Sequence, residues 1–221
     1  MVDRLCQLCV TELGVTGAGI ALLTSTGALA TVAASNPEMR QVDELQFTVG
    51  EGPCVEAFRS RGPVLEADLE SASSARWPGF SPTAAKMGVR AVFALPLQVN
   101  TVRLGALDLY RDVAGPLDES TLTDALILAE AATLALLELE DATSHLEGAG
   151  LLDEPTLWRP EVHQATGRIM VQLGVSNQEA LLRLRAHAFA RDLSVTEVAR
   201  EVLTGTLRFD RSEHDDLEGD A

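Results

Sequence analysis

Apolar residues recur every three to four positions from Val162 to Val202, and the phase of the pattern breaks twice. Val162, Ala165, Ile169 and Leu173 make one stripe. Ala180, Leu181, Leu184 and Ala188 make a second, and Val195, Val198, Ala199 and Val202 a third. Such spacing puts each set on one face of a helix, so the stretch predicts three short helices buried against one another. Both breaks carry start signals. Ser176–Glu179 and Ser194–Glu197 each spell S-x-x-E, in which the serine oxygen takes a first-turn amide and the glutamate reaches back to the serine amide. Pro160 suits the first helical position, and Gly174 ends the first helix.

Upstream the period changes. Residues 1–13 predict an amphipathic helix closed by Gly14, followed by strands Ala18–Thr24 and Ala28–Ser35 joined through Ser25-Thr26-Gly27. A helix over Pro37–Leu45 comes next, with Phe47-Thr48-Val49 leading out of it. Gly50-Glu51-Gly52-Pro53 reads as a tight turn opening a helix to about Arg59. Val64–Glu66 is extended, Asp68–Ser81 irregular, and Pro82–Met87 a short helix. Strands Ala91–Leu97 and Leu104–Tyr110 flank a turn at Asn100. Asp118 caps a long helix, Glu119–Leu146, whose second half is apolar nearly all round. One side of it would cover the sheet and the other would meet the same helix of a second chain. The expected organisation is a domain over 1–146, a linker over 147–159 marked by Gly148, Gly150 and Pro155, a helical domain over 160–209, and a disordered acidic tail over 210–221.

Charge sharpens this division. The chain has 221 residues and a net charge of −16, which opposes indiscriminate binding to nucleic acid. The stretch from Pro155 to Arg211 nonetheless holds eight arginines against six acids, so a mildly basic unit follows a strongly acidic one. With no apolar run near twenty residues and no secretory signal at its start, the chain is expected in the cytoplasm. Three cysteines, an odd number, argue against a disulfide framework.

Two resemblances follow. Ala165-x-Gly167-x-x-Met170, Ala180, Leu184-Arg185-x-x-Ala188 and Val198-Ala199-x-x-Val202 resemble the ANTAR domain, departing at Thr166, where that family often carries lysine. The resemblance implies RNA binding and transcription antitermination, with a tandem pair of stem-loops as target. Val49-Gly50-Glu51-Gly52-Pro53, Val64, Asp68, Trp77-Pro78, Gly88-Val89-Arg90, Pro96-Leu97 and Gly105-x-Leu107 resemble a GAF domain over about residues 1–142. That implies an α+β chain: an antiparallel sheet with flanking helices that senses a signal, then an all-α three-helix unit.

The candidate RNA contacts are Thr166, Gly167, Arg168, Arg183, Arg185, Arg191 and Arg200, since guanidinium groups match phosphate and stack on unpaired bases. A solvated face balanced by Glu161, Glu179, Glu197 and Glu201 explains the same arginines on composition. Aromatic stacking has little support in the sequence, since only Trp158, Phe189 and Phe209 are near and Phe189 is a candidate for the core. Cys54, Trp77, Phe80 and Phe93 are candidates to line a ligand pocket in the first domain. Cys54 also sits at a helix start, where a thiol pKa can fall. Cys6-x-x-Cys9 lacks the two further ligands that zinc needs, and no histidine in 1–142 offers itself to haem. No catalytic or metal constellation and no cofactor is identified. The expected protein is a homodimeric regulator joined through 119–146. The competing readings are a thiol enzyme of the free methionine sulfoxide reductase type and a protein-docking module.

Overall fold

The computed structural model describes residues 1–24, 29–71, 76–147 and 159–210, without the side chains of 142–147. The chain divides into two compact units, Met1–Trp158 and Arg159–Ala221. The hairpin turn expected at Ser25–Gly27, most of the linker and the acidic tail after Asp210 lie outside the described residues.

The first unit runs α1 (Val2–Leu13), β1 (Gly17–Leu23), β2 (Leu29–Ala34), α2 (Pro37–Val49), α3 (Pro53–Ser60), β3 (Val64–Glu66), α4 (Ser81–Lys86), β4 (Ala91–Val99), β5 (Val102–Arg111) and α5 (Glu119–Glu147). Its five strands form one antiparallel sheet in the order β2-β1-β5-β4-β3. Side chains alternate across it, as the period of a strand requires. Ile20, Leu22, Phe93, Leu95, Leu107 and Leu109 face α1 and α5 and bury Cys6, Cys9, Ala125, Ala132 and Leu136. Val92, Ala94 and Tyr110 face the other way and join Met39, Val42, Ala57, Trp77 and Phe80. The sheet is thus covered on both faces, which is why its central strands are apolar along nearly their whole length.

Helix α2 runs through Phe47-Thr48-Val49 to Gly50, four residues past the predicted end. Phe47 is buried, and Gly50 takes the left-handed conformation (φ 73°) that stops the helix, so packing of Phe47 outweighs the β preference of this tripeptide. Asp118 caps α5 as expected, accepting from the Thr121 amide at 2.8 Å. The Thr121 amide and the Ser120 side chain hold its carboxyl at about 2.

The second unit is α6 (Pro160–Leu173), α7 (Asn177–Ala190) and α8 (Val195–Thr204). The three predicted stripes are its core: Ala165, Ile169, Ala180, Leu184, Ala188, Val195, Val198, Ala199 and Val202 are fully buried. Ser194 and Glu197 form the complete reciprocal cap. Ser176 supplies half of one: its hydroxyl takes the Glu179 amide, but the Glu179 carboxylate bonds Arg183 at 2.8 Å instead.

Candidate functional sites

Three arginines of the helical unit, Arg168, Arg191 and Arg200, reach across to a neighbouring helix. Arg168 on α6 donates to the Leu203 carbonyl at 2.8 Å, satisfying an orphan acceptor at the end of α8. Arg191, just past α7, meets both oxygens of Glu201 on α8, at 2.5 and 3.3 Å, with His187 Nε2 3.4 Å away. Arg183 pairs with Glu179 one turn back on α7. Arg185, also on α7, is half-buried. Arg200 is the loosest of the set: it lies 3.4 Å from Glu161 and its side chain is 61% exposed. Exposed pairs of this kind stabilise little, so phosphate can compete for these guanidinium groups.

Two of the seven predicted residues behave differently. Thr166 is 2% exposed and its hydroxyl bonds the Val162 carbonyl at 2.7 Å. It lies four residues after Val162 and three before Ile169, on the buried stripe, and leaves the set of surface contacts. Gly167, its neighbour, is open: a Cβ there would meet nothing within 4 Å. Packing does not require glycine at this helix-interior position, where it costs about 1 kcal/mol relative to alanine.

The four pocket candidates do not line one space. Trp77 and Phe80 pack edge to face, 6.1 Å apart, on the α2–α3 side of the sheet. Phe93 lies on the α1–α5 side, because β4 alternates and Val92 and Ala94 take the other face. Trp77 is held by Glu56 (Nε1 to Oε2, 2.9 Å), and Glu51 accepts from the Gly79 and Phe80 amides at 2.6 and 3.1 Å. Two acids of the Gly50–Pro53 turn and α3 therefore pin the loop that carries both aromatics. A groove of about 610 Å³ does exist elsewhere, between α5 and the β4–β5 turn, bordered by Pro96, Asn100, Leu126, Glu130 and Leu134.

Cys54 stands in a polar cluster instead. Its amide donates to Gln46 Oε1 at 2.8 Å, and its thiol lies against the Asp108 carboxyl. Asp43, Gln46, Cys54 and Asp108 are at most 3% exposed. Both Asp108 oxygens and Gln46 Nε2 are shut off from solvent without a well-formed hydrogen bond. Burial pushes the Asp108 carboxyl up to about 7, opposed by the Cys54 thiol and the Gln46 amide. Burial also raises the Cys54 thiol, and the charges of Asp108 and Asp43 raise it further. The α3 start does not make it a thiolate. Cys6 and Cys9 are likewise raised by burial, to about 12 and about 11. Sequence reading missed Asp43, Gln46 and Asp108. The available signal was an aspartate inside the apolar strand expected over Leu104–Tyr110, and an Asp43–Gln46 pair on the stripe of Met39 and Val42.

The first unit is thus an antiparallel sheet between two helical layers, and the second a three-helix unit. A family model for the GAF domain matches residues 1–137, and one for the ANTAR domain matches residues 158–203. The chain belongs to the GAF domain family and carries an ANTAR domain behind it, a GAF–ANTAR two-domain architecture. GAF is a sensor domain and ANTAR an RNA-binding antitermination domain, a pairing that points to a regulatory rather than an enzymatic protein. No curated protein matches the chain.

Solved structures share the fold of the first unit. A domain of a two-component sensor histidine kinase protein from Sinorhizobium meliloti is similar at TM-score 0.53 and 17% identity, over 65% of this chain and 94% of that one. A GAF domain from Synechocystis in its photoproduct state is similar at TM-score 0.52 and 12% identity, over 66% and 98%. A free methionine-R-sulfoxide reductase from Thermoplasma acidophilum reaches TM-score 0.47 at 16% identity, over 62% and 90%, too low to argue from. Among the described residues no helix is long and apolar enough to cross a membrane.

Proposed function

We propose that the chain is a cytoplasmic antitermination regulator. Its ANTAR unit binds tandem stem-loop RNA, its GAF unit senses a signal, and two copies join through α5. The observation that carries the RNA reading is Gly167, an open glycine in the middle of α6 beside Arg168. A helix that accepts this cost without a packing reason leaves its backbone open to close approach by RNA. Gly167→Ala should stabilise the helical unit by about 0.5–1 kcal/mol and weaken stem-loop binding about tenfold or more. The two effects are read by thermal melting and by filter binding. A stabilised variant that binds RNA as well as the parent removes Gly167 from the contact surface.

Dimerisation rests on α5, which exposes Leu126, Ile127, Leu134 and Leu137. An apolar set this dense on one helix marks an interaction face. Two RNA-binding units on one scaffold then gain by effective concentration. Ile127→Glu combined with Leu134→Glu should sediment as a monomer and bind the tandem RNA more weakly; a dimer that survives both changes places the interface elsewhere. The signal acts by changing how α5 packs, and an effector that leaves RNA affinity unaltered excludes this, because an equilibrium shifts only by differential binding. The thiol-enzyme reading is disfavoured by the three buried thiols, whose raised pKa values keep them protonated.

A further inference from the structure

The outward side of α7 is unlike a solvated helix face. Ala180, Leu181, Leu184 and Ala188 are buried. On the far side Gln178, Leu182, Ala186 and Phe189 fall in one strip at spacings of three and four. Leu182 is 63% exposed and Phe189 53%. The strip contains no carboxylate, and Glu179, the acid of α7, is engaged by Arg183. Arg185 lies along its margin, one turn before Phe189.

Resting on the RNA-binding reading, we propose that this strip holds one unpaired base of the RNA loop. The base stacks on Phe189 beside Leu182, its edge faces the Gln178 amide, and its phosphate faces Arg185. The composition argues for a nucleotide over a protein helix. A docked helix needs a broad apolar surface, whereas here one ring and one aliphatic side chain make a column, flanked by an amide and a guanidinium. Aromatic rings take any base through its π-face, and arginine adds both stacking and phosphate contact. The aromatic is displayed on a rigid helix, so stacking costs little ordering of the protein.

The test uses the full chain and a tandem stem-loop RNA in which each loop nucleotide is made abasic in turn. One abasic position should weaken binding by the parent about tenfold. Phe189→Ala should lose about as much on the intact RNA, and should then be indifferent to that same position. Phe189→Trp should retain both affinity and the positional response. An unchanged melting temperature, expected at an exposed position, separates this from misfolding. Phe189→Ala binding as tightly as the parent overturns the inference while leaving the RNA-binding reading intact. So does a variant that keeps RNA affinity but changes oligomeric state, which would make the strip a protein-docking face. A parent chain that binds no structured RNA overturns the reading itself and the inference with it.

Discussion

Gly105→Ala should strongly destabilise the N-terminal unit and lower its melting temperature by far more than either Gly62→Ala or Gly167→Ala. Gly105 lies on β5, paired with Leu22 of β1 on one side and Leu97 of β4 on the other. A Cβ added there would fall on the Ala21 carbonyl oxygen, with the Ala21 carbonyl carbon at 2.8 Å and Leu22 Cα at 2.9 Å. These are backbone atoms, so no rotamer change relieves the clash. Strand β1 cannot withdraw, because its other edge is paired to β2. The sheet must give up part of the β1–β5 ladder, at a cost on the order of 4 kcal/mol or more. Domains of this size have about 5–15 kcal/mol in hand, so a loss of this order takes a large share of the stability. Thermal unfolding followed by circular dichroism reads it directly. Gly62→Ala is the control: its Cβ would meet nothing within 4 Å, and its melting temperature should match the parent. A Gly105→Ala protein that melts like the parent would contradict the close approach of β1 and β5.

Asp108→Asn should raise stability at alkaline pH and flatten its dependence on pH. Asp108 faces α2 and α3, where Asp43, Gln46 and Cys54 surround it, and burial lifts its carboxyl from the ordinary 3.8 to about 7. The folded chain therefore holds this proton more tightly than the unfolded one. Its contribution to stability is full below about pH 4, declines as pH rises, and is lost once pH passes about 7. The parent should thus melt lower at pH 8 than at pH 5 on account of this group. The asparagine variant has no charge to bury. Its melting temperature at pH 8 should exceed the parent's by several degrees, with the gap closing toward pH 4. Parallel melting curves for the two proteins across pH 4–8 would mean that the carboxylate is charge-compensated in the folded state.

Several features set by local chemistry were legible in the sequence, although the Ser176–Glu179 box forms only by half and the Gly50 stop of α2 was missed. Ser194 with Glu197, Pro160, Gly174 and Asp118 act within one helical turn of themselves, and each stands where it was expected. The turn at Asn100 is equally local, with the positive φ (52°) that asparagine tolerates. What else escaped depends on packing between elements. Whether Phe93 faces α1 or α2 is decided by the register of β4, where a shift of one residue would reverse it. That Arg191 pairs with Glu201 and Arg168 with the end of α8 requires knowing how α8 crosses α6 and α7. Thr166 looked polar in the sequence, but its hydroxyl is spent on the backbone carbonyl one turn back, so the residue fits a core stripe. Phe189, ambiguous in the sequence, falls opposite the buried side of α7.

On the proposed reading, the chain recognises RNA through the loops of the RNA. The direct measurement is equilibrium binding of the full chain to a tandem stem-loop RNA, against the same stems with scrambled loops, at two salt concentrations. The account predicts tighter binding to the intact loops, a preference that persists as salt lowers both affinities, and loss of that preference in Arg185→Ala. Equal affinity for intact and scrambled loops, or no binding to either, would contradict it.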